Sequence, residues 1–446
     1  MNASPTSVLK PQKSQGSGIL ADVSDQQMVS VSKKKMRRTA ILLVVTNYIQ
    51  AVLTMVVNLV LAERLGQTGY GTFRYGIVIG TFVMIFVNFG SHRSMVRDLI
   101  HAKNPAQMMS SSIALRMSMV FIALTFGLIA TFTVEMSTTK LLIAWMCALA
   151  GICMALSPKG WFDVTYNMHH HAALMLLEKF AFAGSCLLWI LGFANSHFLF
   201  GVGLCWLMSR VVGCCTQWWI ARKTFVWDNG WNRKRIAWLF RENVWIFGAV
   251  LGGTLATQGS QLALDAVHGN RALANFGLAF SVVSLGQLFI SQVDRLMAPK
   301  IAAITSGQQA VQPNQLSMYI WKFAGFSLIG SSAVAVGIFL LGPIAIRWLL
   351  SSTWEAAIPS IQWLCIWCVL LGPNLVSARF LICLRAHKLQ FGLSISRGLL
   401  AVGLAPIFVT HFDAKGVAMS MLVGAVCFGL VAYTYLLFVY PRKQVA

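Results

Sequence analysis

The chain has 446 residues, of which 57% are hydrophobic and only 11% are charged, whereas soluble globular proteins average about 25% charged residues. This composition excludes a soluble enzyme and indicates a protein whose solvent is largely lipid. The net charge of +22 would suit a nucleic-acid binder, but membrane topology accounts for most of the basic residues, so no nucleic-acid partner is predicted.

The first 38 residues are rich in Ser, Gln and Lys and have no apolar core. We therefore expect a disordered cytoplasmic tail over residues 1–38 and no cleavable signal peptide. About twelve apolar segments follow, each near the length of about 20 helical residues that spans a hydrocarbon core of about 30 Å. The predicted spans are 39–62, 73–92, 109–133, 139–157, 180–195, 198–221, 244–266, 273–292, 318–341, 357–376, 389–410 and 416–438.

The spans divide into two sets of six, at residues 39–221 and 244–438. Residues 222–243 between them are polar and rich in Trp, which suits a helix lying in the headgroup region as a cytoplasmic linker. Residues 439–446 form a second cytoplasmic tail. The sequence thus predicts an all-α integral membrane protein with about 12 transmembrane helices in two six-helix bundles.

The basic residues predict the orientation of these spans. Of 35 Lys and Arg residues, 25 fall in tails and loops on one side, and short loops rich in Lys and Arg resist translocation. That side is therefore cytoplasmic, both termini lie inside, and a multi-pass protein of the bacterial inner membrane is expected. The opposite loops hold only Arg64, Arg74, Lys140, Arg271, Arg347 and Lys415.

Four further basic residues, Arg116, Arg210, Lys322 and Arg397, lie within or just inside the spans. Snorkelling towards the headgroups accounts for Lys322 and Arg397. Arg116 and Arg210 either snorkel or face a cavity, where a guanidinium fork binds phosphate or carboxylate in bidentate fashion. Because the chain has only 13 acidic residues, this cationic interior favours an anionic substrate.

Two polar stripes recur at helical spacing on the first helix of each half. One interpretation is hydrogen bonding between helices, and the other is a water-filled cavity between the halves, since amides and carboxylates are costly against lipid. Repetition in both halves favours the cavity. The stripes are Asn47, Gln50, Thr54 and Asn58 in the first helix, and Thr254, Thr257, Gln258, Gln261 and Asp265 in the seventh.

Each stripe ends in an acid, Glu63 or Asp265, near the predicted outer boundary. A carboxylate that faces a partly dry cavity can take up and release a proton, so both are candidates for ion coupling. The alternative is that each marks the boundary or pairs with a neighbour such as Arg64 or Arg271. No Walker motif and no metal or cofactor motif is present, so no cofactor is predicted.

Several short motifs resemble the Wzx-type polysaccharide flippases, within the MATE-like multidrug/oligosaccharidyl-lipid/polysaccharide (MOP) superfamily. The first is the stretch from Leu65 to Phe73, LGQTGYGTF, followed by Phe89-Gly90 and by Met95-Val96-Arg97-Asp98. Later stretches that fit are Leu264-Asp265, Ala279-Phe280, Ala298-Pro299-Lys300 and the run Gly416-Val417-Ala418-Met419-Ser420.

This resemblance implies two six-helix bundles around a V-shaped cavity, and translocation of an undecaprenyl-diphosphate-linked oligosaccharide to the outer leaflet. It also implies partners in the membrane, namely lipids, a polysaccharide polymerase and a chain-length regulator. A MATE-like drug/cation antiporter shares the fold, but its cationic substrates call for buried carboxylates, which are nearly absent from these spans. A membrane polysaccharide polymerase or ligase would be expected to expose a large outer loop, whereas the outer loops here are short.

Taken together, the sequence assigns a substrate site and an ion-coupling site. The anionic head is expected to meet arginines, and sugar hydroxyls are expected to meet amides. The predicted substrate-binding residues are Arg64, Arg74, Arg116, Arg210, Asn47, Gln50, Asn58, Gln258 and Gln261, and the predicted ion-coupling residues are Asp265 and Glu63.

Overall fold

A computed structural model of the chain describes residues 33–91, 94–95, 99, 104–133, 136–164, 168–192, 198–223, 225, 227, 231–305, 313–384 and 386–440. The regular secondary structure within these ranges is all helical, which confirms the predicted all-α class. The α-helices are α1 (Lys33–Asn88), α2 (Pro105–Thr133), α3 (Thr138–Leu156), α4 (Lys159–Val164), α5 (Met168–Gly192), α6 (Phe198–Ala221), α7 (Arg233–Thr254), α8 (Ser260–Thr305), α9 (Pro313–Leu349), α10 (Ile358–Cys383), α11 (His387–Phe412) and α12 (Ala414–Thr434). Two π segments, Leu255–Gly259 and Tyr435–Val439, and a 3₁₀ segment, Ser352–Ala357, complete the helical elements.

Ten helical stretches of the described residues are long and apolar enough to cross a membrane. Two of them, with 44 and 62 residues, are far longer than the roughly 20 residues one crossing needs. Each contains a glycine with positive φ, Gly66 (64°) in α1 and Gly269 (72°) in α8, a conformation that glycine adopts without steric cost. These glycines divide α1 into α1a (33–65) and α1b (67–88), and α8 into α8a (260–268) and α8b (270–305). The number of crossings and their sidedness stay predictions.

Some predicted boundaries differ from the structure. The fifth span was predicted from residue 180, whereas α5 begins at Met168, because a helix can continue through polar residues that end an apolar pattern. The seventh helix begins at Arg233 rather than at residue 244, so the end of the predicted linker is continuous with it. Asn232 caps this helix, since its side-chain oxygen accepts a hydrogen bond from Arg235 N at 3.2 Å. Of the two predicted tails, residues 1–32 and 441–446 lie outside the described residues.

The same helix pairings occur in the N-terminal half (33–221) and the C-terminal half (233–440). In the first half α1 packs against α3 and α5, while α6 packs against α3 and α5. In the second, α8 packs against α10, α7 against α11, and α12 against α10 and α11. The halves also differ, because α9 packs closely along α10 whereas its counterpart α2 makes few contacts with α3.

Small residues allow the closest helix pairs to form. A Cβ added to Gly80 of α1b would lie 2.4 Å from the carbonyl oxygen of Cys147 in α3, and one added to Gly151 would lie 2.2 Å from the carbonyl oxygen of Gly80. Backbones in such contact gain the van der Waals packing that associates helices in lipid.

The two halves meet where the glycine turns lie, and we call this end of the molecule the glycine-turn end. α1 packs along α8, and one apolar core continues across the boundary. Tyr70 and Phe73 of α1b contribute to it from one half, and Leu264 and Phe276 of α8 contribute from the other. The site described next lies in this boundary.

Candidate functional site between the two halves

Amide side chains join the two halves at the glycine-turn end. Gln67 Nε2 donates to Asn275 Oδ1 at 3.2 Å and to the carbonyl oxygen of Thr353 at 2.7 Å. Asn270 Nδ2, next to the second glycine turn, donates to Thr72 Oγ1 of α1b at 3.0 Å. Because each of these bonds crosses from one half to the other, this end can open only when they break.

Arg74 extends from α1b into the C-terminal half. Its side chain is buried, its Nε donates to Gln261 Oε1 at 3.0 Å, and its guanidinium carbon lies 5.3 Å from the centre of the Phe280 ring. No carboxylate of a described residue lies within 4.0 Å of its guanidinium nitrogens. A buried guanidinium with only an amide as its polar side-chain partner keeps donors that suit an anion.

Two amides of the predicted seventh span, Gln258 in the π segment and Gln261 in α8a, lie beside Arg74. Gln261 Nε2 donates to the carbonyl oxygen of Thr257 at 2.8 Å and to Gln258 Oε1 at 3.1 Å. Thr257 and Gln258 belong to the π segment Leu255–Gly259, a rare conformation that often occurs at functional sites. The structure thus brings together Arg74, Gln258 and Gln261 from the predicted substrate-binding set.

Asp265 forms an ion pair that crosses between the halves. Its Oδ2 lies 2.5 Å from Lys140 Nζ of α3, while its Oδ1 is buried with no hydrogen-bond partner. Lys140 Nζ also lies 4.3 Å from the centre of the Tyr75 ring. The partner of Asp265 is therefore Lys140 and not Arg271, which was one alternative from the sequence. Lys140 was missing from the predicted site, and its place among the few basic residues of the outer loops was the only sequence signal.

The polar stripe of α1a lies along the same boundary. Asn58 Nδ2 donates to Ser281 Oγ of α8b at 3.4 Å, which is a cross-half contact. Thr54 instead donates back to the Gln50 carbonyl oxygen of its own helix at 2.7 Å. Gln50 is buried and Asn47 is half-buried. The stripe therefore makes one hydrogen bond to the other half through Asn58, and its other polar side chains are buried or half-buried.

The two charged residues before the first glycine turn are exposed. Glu63 Oε2 accepts hydrogen bonds from the backbone N and the Oγ of Ser351 at 3.1 and 3.2 Å. Arg64 is exposed beside it. Glu63 thus contributes to the closure of the glycine-turn end and is not a buried carboxylate like Asp265.

Arg116 is bound inside the N-terminal half. It is 2% exposed, and its Nε donates to Ser91 Oγ at 2.8 Å. Its Nη1 donates to the carbonyl oxygens of Ala155 and Ser157 at 2.9 and 3.2 Å. These partners join α2 to the end of α1 and to the end of α3.

Arg210 is also bound inside the N-terminal half. Its Nη1 forms a buried ion pair with Glu178 Oε1 of α5, and its guanidinium carbon lies 4.1 Å from the centre of the Trp206 ring. The polar partners of Arg116 and Arg210 thus lie within the N-terminal half, whereas that of Arg74 lies in the C-terminal half.

Aromatic rings join the halves at the opposite end of α1b. The Phe89 ring stacks on Phe240 and on Phe247 of α7, with both centroid distances at 4.6 Å. Phe89 has a φ of 43° and Gly90 a φ of 70°, so the chain turns sharply where it meets α7. A positive φ at a non-glycine residue is uncommon and costs energy that surrounding contacts must offset.

Within the described residues, no group of three or more His, Cys, Asp or Glu side chains is placed to hold a metal ion. The described polar groups between the halves are amides and hydroxyls, together with the charged side chains of Arg74, Lys140, Asp265 and Glu63.

Solved structures share this fold at low sequence identity. The chain is 14% identical to the lipid II flippase MurJ in an inward closed conformation, with a TM-score of 0.68 over 91% of this chain and 89% of that chain. A multidrug resistance MATE family transporter of the MOP superfamily, in an inward-facing conformation, is 16% identical, with a TM-score of 0.64 over 89% and 94% of the two chains. A MOP superfamily transporter from Pyrococcus furiosus is 15% identical, with a TM-score of 0.62 over 91% and 95%.

The family described as polysaccharide biosynthesis protein matches residues 36–293, which is more than half of the chain. No curated protein matches the sequence. The matched region includes α1b, the amide stripes, Arg74 and Asp265, so it contains most of the boundary described above. The chain therefore belongs to the polysaccharide biosynthesis protein family, and it has the fold of the MOP superfamily transporters.

Proposed function

We propose that this protein is a flippase that moves undecaprenyl-diphosphate-linked oligosaccharide units from the inner to the outer leaflet of the bacterial inner membrane. Membership of a polysaccharide biosynthesis family supports the class of substrate. The fold shared with a lipid II flippase supports the kind of transport. The diphosphate and sugars of such a lipid cannot cross hydrocarbon unaided, whereas its tail can remain in lipid. No covalent bond changes, so the protein is not an enzyme.

The observation that carries this proposal is the position of Arg74. A buried arginine at the boundary of the two halves, with an amide partner and no described carboxylate nearby, suits the diphosphate of the substrate. Gln261 holds the guanidinium while the site is empty, and the diphosphate replaces it on binding. Exposed Arg64 offers a second cationic group near the glycine-turn end.

The amides and hydroxyls near Arg74 suit the sugars. Sugar hydroxyls both donate and accept hydrogen bonds, as amide side chains do. We assign this role to Asn47, Gln50, Asn58, Gln258 and Gln261. Arg116 and Arg210 are left out, because the polar partners of both side chains lie within the N-terminal half and not across the boundary.

The lipid tail is proposed to stay outside the protein between α1a and α8b. Val52 and Val56 of α1a and Leu288 and Phe289 of α8b are exposed apolar residues on these helices. The rings of Tyr48 and Phe289 lie 6.4 Å apart between the same two helices. A head group inside and a tail outside would allow passage without extracting the whole lipid from the bilayer.

Transport by alternating access requires the glycine-turn end to open. The bonds that hold it closed are those of Gln67, Asn270 and Glu63, together with the pair Lys140–Asp265. We propose that Asp265 exchanges Lys140 for a transported cation, such as a proton, during opening. Glu63 is proposed to assist at the exposed rim.

A polysaccharide polymerase and a chain-length regulator are the proposed partners. They would act on the same lipid-linked units after translocation, in the outer leaflet.

The test is to deplete the protein from the cells that make it and to measure the leaflet on which lipid-diphosphate oligosaccharides accumulate, in spheroplasts and in inverted vesicles. We expect accumulation on the cytoplasmic side and loss of surface polysaccharide. Unchanged sidedness together with drug hypersensitivity would instead support a MATE-like antiporter. Accumulation of single units on the outer side would point to a polymerase.

Variants of the depleted strain test the assigned site. Arg74→Gln should lower transport about ten-fold or more, because a hydrogen bond to a charged group contributes about 1.5–3 kcal/mol. The matched control is Arg271→Gln, which removes an exposed charge at the same end. Equal transport by the two variants at equal membrane abundance would contradict the role of Arg74.

A further inference from the structure

The connection between the two halves carries a basic and aromatic surface that the proposed transport mechanism does not use. Residues 222–245 contain six Lys and Arg residues and only two acidic residues. We call this surface the linker patch. Its members are exposed tryptophans and basic residues at the end of α6, in the connection and at the start of α7, namely Trp219, Arg222, Lys223, Trp227, Arg233, Lys234, Trp238 and Arg241.

The aromatic members of the linker patch are exposed. Trp219, Trp227 and Trp238 are 53%, 55% and 45% exposed. Tryptophan is enriched at the level of the lipid headgroups, where its ring is apolar and its N–H is polar. The exposure of these rings therefore indicates a surface in contact with the membrane interface.

Two cations of the patch lie against one of these rings, and its basic side chains have no described carboxylate nearby. The charged groups of Arg222 and Lys223 lie 5.5 and 5.2 Å from the centre of the Trp219 ring. None of the five basic side chains of the linker patch has a carboxylate of a described residue within 4.0 Å. At the glycine-turn end, by contrast, Lys140 pairs with Asp265 and Arg347 with Glu355.

The start of α7 also favours the binding of anions. Asn232 caps the helix, and Arg233 and Lys234 are exposed residues of its first turn. The backbone N–H groups of a first turn carry partial positive charge and favour anions. The basic side chains and the polarity of the helix thus both attract anions to the start of α7.

We propose that the linker patch binds the phosphate headgroups of anionic bilayer phospholipids. Charge complementarity identifies the occupant, because several unpaired cations lie beside tryptophans on a segment at the predicted cytoplasmic interface. Bound lipid would hold the connection between the halves at a fixed depth. This inference does not depend on the transported substrate.

The first test measures lipid-dependent stability of the purified full-length protein in detergent. Phosphatidylglycerol should raise the melting temperature more than phosphatidylcholine with the same acyl chains. Arg222→Gln/Lys223→Gln should weaken the apparent affinity for phosphatidylglycerol about ten-fold or more, since each basic residue near an anionic surface contributes roughly five-fold.

The matched control is Arg271→Gln/Lys415→Gln, which also removes two charges, one of them 5.9 Å from an aromatic ring at Phe412. It should respond to phosphatidylglycerol like the unmodified protein. Equal weakening by both double variants would overturn the proposal. Equal protection by inorganic phosphate at the same concentration would also overturn it, because the lipid would then not be the occupant.

A second measurement places the lipid at the patch without removing charge. Brominated phosphatidylglycerol should quench tryptophan fluorescence more than brominated phosphatidylcholine in reconstituted protein. Trp219→Phe/Trp227→Phe should remove most of this difference, whereas Trp321→Phe/Trp348→Phe, at two other exposed tryptophans, should keep it. A difference unchanged by the first pair would contradict the proposal even if a charge variant failed to fold.

Discussion

Two pairs of basic residues have partners in different places. Arg116 and Arg210 bind groups within the N-terminal half, whereas Arg74 and Lys140 reach across to the C-terminal half. Partners within one half can be kept while the halves move, but partners across the boundary must be exchanged. The location of the partner therefore separates the basic residues that hold one bundle together from those that can respond to substrate.

The largest expected effect follows from locking the boundary. In a background without native cysteines, Thr72→Cys/Asn270→Cys joined by a short thiol cross-linker should abolish transport, because these side chains approach within 3.0 Å across the halves. Reversal of the cross-link should restore transport. The measurement is the sidedness of lipid-linked oligosaccharides in the same membranes.

The control for that cross-link lies within one half. Arg347 and Glu355 are both exposed, are 3.9 Å apart and belong to the C-terminal half. Cross-linked Arg347→Cys/Glu355→Cys should transport normally. Unimpaired transport by the cross-linked Thr72/Asn270 pair would show that this end does not open.

The next largest effect concerns an arginine within one half. Arg210→Met should lower the free energy of unfolding by about 3–5 kcal/mol, because it leaves Glu178 buried without a counter-charge. Thermal unfolding in detergent measures this loss. Glu178→Leu/Arg210→Met should recover most of the stability and should transport normally per folded molecule. Lost transport in a stable double variant would assign Arg210 to the substrate site after all.

A smaller effect is expected at the ion pair between the halves. Asp265→Asn should lower transport about ten-fold while leaving the fold intact, because the coupling carboxylate is lost. The exchanged pair Lys140→Asp/Asp265→Lys should keep the closing contact but should not restore transport. Full transport by Asp265→Asn would exclude ion coupling at this residue. Restored transport by the exchanged pair would show that the ion pair only holds the glycine-turn end closed.

The smallest effect is expected in the α1a stripe. Asn58→Ala removes a 3.4 Å hydrogen bond to Ser281, and such bonds between membrane helices contribute about 0.6 kcal/mol. Transport should change less than about three-fold. Ser281→Ala and the double variant should give the same value if the bond is the only contribution. A larger loss for Asn58→Ala than for Ser281→Ala would support the sugar contact proposed for Asn58, whereas equal losses would contradict that contact.

Much of the fold could be predicted because a segment that spans lipid must form all its backbone hydrogen bonds internally, as a helix does. The length of an apolar segment is therefore a strong signal for a membrane helix. Boundaries were predicted less well where polar residues continue a helix, as at Met168 and Arg233. The amide stripes were predicted at α-helical spacing, but the π segment Leu255–Gly259 left no pattern in the sequence. Arg74, Gln258 and Gln261 were predicted separately, and the structure placed them together.

The sequence by itself determined that this is an all-helical membrane protein, and its motifs already resembled the family. Composition, span length and helical periodicity are properties of neighbouring residues, so they can be read along the chain. Only the tertiary structure decided that Lys140 meets Asp265 and that Glu178 meets Arg210, because those pairs join helices distant in sequence. The physical reason is that the cost of a charge in lipid depends on its partner, and the packing of helices decides which partner is within reach.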